Sequence, residues 1–101
     1  MKLLFVTCIK EDQPLVAGIF EKAGVQVYSV MEAVGYRSGE QGELLDSWFA
    51  SGGEKADSVV AFSFTSRESA YAAMDMIKAG NEKSVSGFPV RVFILPVEQM
   101  A

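Results

Sequence analysis

The chain has 101 residues, half of them hydrophobic, with nine Lys and Arg against 13 Asp and Glu for a net charge of −4. That length holds one compact domain. The apolar share is too high for a disordered chain, and the acidic balance argues against a general nucleic-acid or anionic-membrane binder. With no His and one Cys, the sequence excludes His-based triads, His metal sites, an internal disulfide and Cys-cluster metal sites. Cys8, inside the run Leu3-Leu4-Phe5-Val6-Thr7-Cys8-Ile9, reads as a buried small hydrophobe. No apolar run nears the ~20 residues that span a bilayer, and no cleavage pattern follows Lys2, so the cytoplasm is the expected compartment.

Residues 2–9 predict a strand, rich in β-branched and aromatic side chains and closed by Lys10, Glu11 and Asp12. Glu11 and Asp12 suit the start of a helix, Pro14 is tolerated in its first turn, and Gly24 is placed to end it in a left-handed conformation. Between them Leu15, Val16, Ile19, Phe20 and Ala23 form one apolar stripe. Val25 to about Val34 predicts a second strand, and 35–57 shows no sustained period. Val59 to Phe64 predicts the third strand. Thr65-Ser66-Arg67-Glu68 then matches a capping box with Thr65 as the cap. The helix it opens buries Ala70, Ala73, Met74 and Ile77 and stops at Gly80. Asn81 to Gly87 reads as a polar loop, and Pro89 to Val97 as the last strand.

This order is β-α-β-β-α-β, the ferredoxin-like α+β plan: a four-stranded antiparallel sheet with two helices on one face. The strands are apolar on both sides. Leu3, Phe5 and Ile9 oppose Leu4, Val6 and Cys8, while Val60, Phe62 and Phe64 oppose Val59 and Ala61. Left wet, a second face of roughly 500 Å² would forgo about 12 kcal/mol at ~25 cal/mol per Å². The expectation is therefore assembly of several copies, as a trimer or a face-to-face dimer, with a fold-back of segment 35–57 as the alternative.

Segment 35–57 is longer than compact domains usually allow between adjacent strands, and such segments tend to carry function. It holds Gly35, Gly39, Gly42, Gly52 and Gly53, and the apolar island Trp48-Phe49. Trp48 and Phe49 are candidate anchors for a protein partner, or else pack on their own subunit. The glycines and Arg37 in Gly35-Tyr36-Arg37-Ser38-Gly39 could cradle an anion or could simply turn the chain. Lys83-Ser84-Val85-Ser86-Gly87 is too unpatterned for a Walker motif.

Ser29-Val30-Met31-Glu32-Ala33-Val34-Gly35-Tyr36 resembles the signature at the base of the long T-loop in the PII signal-transduction superfamily. By that resemblance 36–57 corresponds to the T-loop and 81–89 to the shorter B-loop. Where that B-loop typically reads Gly-Asp-Gly-Lys, this chain has Val85-Ser86-Gly87-Phe88-Pro89, which places it with divergent PII-like proteins. The resemblance implies a homotrimer with a small-molecule site in each cleft between subunits; divergent members bind AMP, ADP, cyclic nucleotides or bicarbonate, so an adenine nucleotide is one class implied. Ser29, Gly35, Tyr36 and Arg37 would face the cleft from one subunit, and Lys83, Ser86 and Gly87 from the next. It also implies that segment 36–57 docks on a membrane transporter, an enzyme or a transcription factor, and that the protein is not itself an enzyme; that no nucleic acid is bound follows from the acidic balance.

Two other classes share the plan. A CutA-like metal-tolerance trimer would use Cys8, Met side chains and carboxylates such as Glu32. A small ferredoxin-fold enzyme would need an acid or base from Glu32, Asp57 or the tyrosines. An amino-acid-sensing ACT-like module also follows this order but normally lacks so long a second hairpin connection.

Overall fold

The computed structural model describes residues 1–36, 55–83 and 89–101, with the backbone alone at 35, 36 and 55–57. In chain order the elements are β1 (Lys2–Ile9), a 3-10 turn (Lys10–Asp12), α1 (Gln13–Ala23), β2 (Ser29–Tyr36), β3 (Lys55–Thr65), α2 (Arg67–Lys83) and β4 (Arg91–Pro96). They form one four-stranded antiparallel sheet in the order β2-β3-β1-β4. That is the expected ferredoxin-like α+β arrangement, with the first and third strands central and the second and fourth at the edges.

Local chemistry accounts for where the elements end. Gly24 adopts φ 85°, its N–H donates to the Glu21 carbonyl, and the Val25 N–H donates to the Phe20 carbonyl at 2.9 Å. This paired closure is the Schellman motif, and it needs a residue without a Cβ at the left-handed position. Val25 is thereby committed to closing α1, so β2 starts at Ser29 rather than at Val25. Residues 25–28 instead lean on the sheet: Ser63 Oγ donates to the Val27 carbonyl at 2.5 Å, and the Tyr28 ring meets Phe20 edge-on at 4.9 Å between centroids.

The β2–β3 hairpin runs further than its hydrophobicity suggests. Gly35 pairs with Ala56 and Tyr36 with Lys55, so Gly35, Tyr36 and 55–57 belong to strands rather than to the long connection. Two expectations at α2 also change. The cap is Ser66, not Thr65: its Oγ accepts from the Ser69 N–H at 3.1 Å, while Thr65 is still in the sheet. Nor does the helix stop at Gly80; it continues to Lys83. Asn81 explains the continuation. Its Nδ2 donates to the Val90 carbonyl at 2.8 Å, and its Oδ1 accepts from the Val90 N–H at 3.0 Å. This two-point clamp holds the last turn against the chain entering β4.

The core lies between the sheet and both helices. Leu4, Val6 and Cys8 from β1 and Val59 and Ala61 from β3 pack against Val16, Ile19 and Phe20 of α1 and Ala70, Ala73 and Ile77 of α2. The stripe of α1 is narrower than expected, because Leu15 stays exposed. Register puts Leu3, Phe5, Thr7 and Ile9 on the opposite face, level with Phe64, Phe62, Val60 and Ser58, and with Leu95, Phe93 and Arg91 of β4. That second face is uneven. Phe64 is 56% exposed and Leu95 45%, at the end near Lys2. Thr7, Ser58 and Val60 are buried at the other end.

Candidate functional site

The site residues expected from sequence do not converge within one chain. Ser29 opens β2 and is exposed, opposite Phe62. Gly35 and Tyr36 close the same strand, opposite Ala56 and Lys55. At ~3.3 Å per residue, Ser29 and Gly35 stand about 20 Å apart along the β2 edge. Lys83 is the exposed last residue of α2. The Asn81 clamp places that helix end beside the start of β4, at the same end of the sheet as Gly35 and Tyr36 but on the opposite edge. Three strand spacings of ~4.8 Å separate the two edges, about 14 Å in all. Arg37, Trp48, Phe49, Ser86 and Gly87 lie outside the described residues.

Both edges present features that suit contact with another chain. Around β4, Leu3, Phe5, Phe93 and Leu95 from one face meet Met74, Val92 and Ile94 from the other, lining an apolar hollow of about 610 Å³. Along β2, Val30, Met31 and Val34 are exposed, and Val27 just before it is 82% exposed. An edge strand with unpaired backbone groups and apolar side chains is a ready template for pairing.

The chemistry of the described side chains is sparse. Cys8 lies in the core, where burial first and the nearby Asp12 carboxylate second push its thiol up to about 11. It is therefore a protonated core residue, not a nucleophile or an accessible ligand. Glu32 points to the helix side of β2 and pairs with Lys10 at the surface. Among the described residues no three of His, Cys, Asp and Glu stand close enough to hold a metal. Nor is any helix among them long and apolar enough to cross a membrane.

One polar pair gives no sign of itself in the hydrophobic pattern. Ser58 and Arg91 fall in strands that look apolar on both faces, and each carries a buried polar atom with no hydrogen-bond partner among the described residues. The available signal was Arg91 itself, the one cation inside the otherwise apolar stretch from Phe88 to Val97.

No protein-family model matches the sequence, and no curated protein does. Among solved structures, the crystal structure of a candidate PII-like signalling protein from Thermus thermophilus superposes with a TM-score of 0.61 at 12% identity. The match covers 92% of this chain and 80% of that one. The likeness is one of fold. It agrees with the resemblance seen in Ser29–Tyr36. At this identity the superposition carries no residue roles across.

Proposed function

We propose that this chain is a PII-like regulatory protein: a homotrimer that takes a small ligand in the clefts between subunits and controls a partner protein through segment 36–57. It acts by binding and not by catalysis. The reading rests chiefly on the placement of Gly35 and Tyr36 on one sheet edge and Lys83 on the other, at the same end of the sheet. In a single chain the width of the sheet alone, about 14 Å, keeps them apart. A ring of copies that sets the β2 edge of one subunit against the β4 edge of the next would close that gap. The exposed apolar side chains of β2 and the hollow around β4 support such a contact.

Of the ligand classes the resemblance implies, the one taken here is an adenine nucleotide. Lys83 is the described cation suited to meet its phosphates, with backbone N–H groups near Gly35 adding donors. Segments that order when a ligand binds are a known switching device, and 36–57 is the part of this chain suited to that role.

Calorimetry with AMP, ADP and ATP, run beside light scattering, tests the reading. The expected result is a mass of three chains and saturable binding of at least one nucleotide, weakened about tenfold by Lys83→Ala, the cost of one charge-assisted contact. A stable single chain at dilute concentration, or an assembly that ignores all three nucleotides, would overturn it.

A further inference from the structure

Gly80 carries the signal to end α2, yet Asn81, Glu82 and Lys83 stay helical. Glycine disfavours a helix interior, and the last residues of a helix are the first to fray. Asn81 holds them. Its carboxamide offers a donor and an acceptor in one plane, as a peptide group does. Nδ2 donates to the Val90 carbonyl at 2.8 Å, and Oδ1 accepts from the Val90 N–H at 3.0 Å. Val90 is buried in the core, so the far end of this clamp is itself fixed. Asn81 follows the buried Ile77 by one turn, which puts it on the face of α2 turned to the sheet.

Lys83 stands two residues on. At 100° and 1.5 Å per residue it lies about 200° round the helix from Asn81 and about 3 Å further along. It is exposed, and it forms no ion pair among the described residues. The direction in which this cation leaves the helix is thus set by a neighbour whose own polar group is turned the other way, onto Val90.

Without the clamp, the stop signal at Gly80 is unopposed and residues 81–83 are free to leave the helix. A ligand that uses Lys83 then has to order three residues as it binds, and the cost of that ordering is subtracted from its affinity. With the clamp in place, the ordering is complete before the ligand arrives.

We propose that Asn81 is a positioning residue for the ligand of the subunit cleft. It touches no ligand atom and acts through Lys83, by keeping that cation in helical geometry. The inference rests on the reading of the cleft as a nucleotide site. It adds that affinity there depends on a side chain whose polar atoms are spent inside its own subunit.

The test is a double-mutant cycle on the full chain, by calorimetry with whichever of AMP, ADP and ATP binds wild type most tightly. Asn81→Ala and Lys83→Ala should each weaken binding about tenfold, and the double variant no more than about twofold beyond Lys83→Ala alone. Hydrogen exchange at the amides of residues 81–83 gives a second readout. Nucleotide should slow it at least about threefold in Asn81→Ala and leave wild type, already ordered, almost unchanged. Gly24→Ala, which disturbs the helix pair beside Ser69 about 18 Å away along α2, should leave affinity unaltered. Asn81→Gln keeps the carboxamide one methylene out of place and serves if the alanine variant does not fold; it should lose at least about threefold. If wild type ignores all three nucleotides, the cleft reading falls and this inference with it. If wild type binds and folded Asn81→Ala binds equally well, the inference alone is overturned. It is also overturned if Asn81→Ala weakens binding as much without Lys83 as with it, or if Gly24→Ala weakens it to the same extent.

Discussion

At Cys8 the surroundings of one atom set its chemistry. Packed among Leu4, Val6, Val59 and the helices, the thiol is pushed from 9.0 to about 11. Raising the folded-state value means that the neutral thiol is the form the fold accepts. Stability from this group is complete below pH ~9 and is lost as pH climbs toward about 11, by about 2 kcal/mol. Urea unfolding at pH 8 and pH 10.5 should show the difference in wild type and much less of it in Cys8→Ala. Iodoacetamide at pH 8 should modify the native thiol at least about 100-fold more slowly than the unfolded one; equal rates would sink the assignment. Asn81 is the other residue with an outsized role. Asn81→Ala removes both hydrogen bonds to Val90 and should cost about 2 kcal/mol in urea, while Asn81→Asp keeps only the acceptor and should lie between.

The elements show which local signals govern and which are overruled. Gly24 could be read directly, because the left-handed turn that ends α1 is decided by its own backbone. Gly80 carried the same sign and the opposite outcome, since a partner distant in sequence, Val90, holds Asn81 in helix. The two glycines should therefore respond oppositely to alanine. Gly80→Ala meets no atom within 4 Å and should stabilise by about 0.5–1 kcal/mol. Gly24→Ala forces a positive φ and brings its Cβ to 3.2 Å from Ser69 Oγ, so it should destabilise by about 1–2 kcal/mol. Paired melting curves decide this, and matching signs would refute the account of either helix end. Strand order and the apolar faces were legible from alternation. The extension of the hairpin to Gly35, Tyr36 and Lys55 was not, because those residues carry no apolar period and are held by backbone pairing. Arg91 and Ser58 went unmarked because what singles them out is burial without a partner, which only three-dimensional packing reveals.

For the whole molecule, the second face of the sheet is where the proposed assembly can be tested. Phe64, Leu95, Phe93 and Met31 remain exposed on it at 56%, 45%, 38% and 49%. Burying such side chains typically contributes about 1.5–3 kcal/mol each. Phe93→Asp should shift the assembly toward single chains by at least about tenfold in dissociation constant, read by sedimentation equilibrium. Glu32→Gln, which breaks only a surface ion pair, should leave mass and stability almost unchanged. If wild type sediments as several copies, an unaltered mass for Phe93→Asp would mean that they associate through their edges alone.

The separation of Lys83 from Gly35 and Tyr36 across the width of the sheet also bears on inheritance of defects. If a working pocket borrows its two walls from different copies, no single copy owns one. Chains crippled at Lys83 and chains crippled at Ser29 would each be silent when pure. Co-expressed, they should restore intact pockets wherever the sound wall of one meets the sound wall of the other.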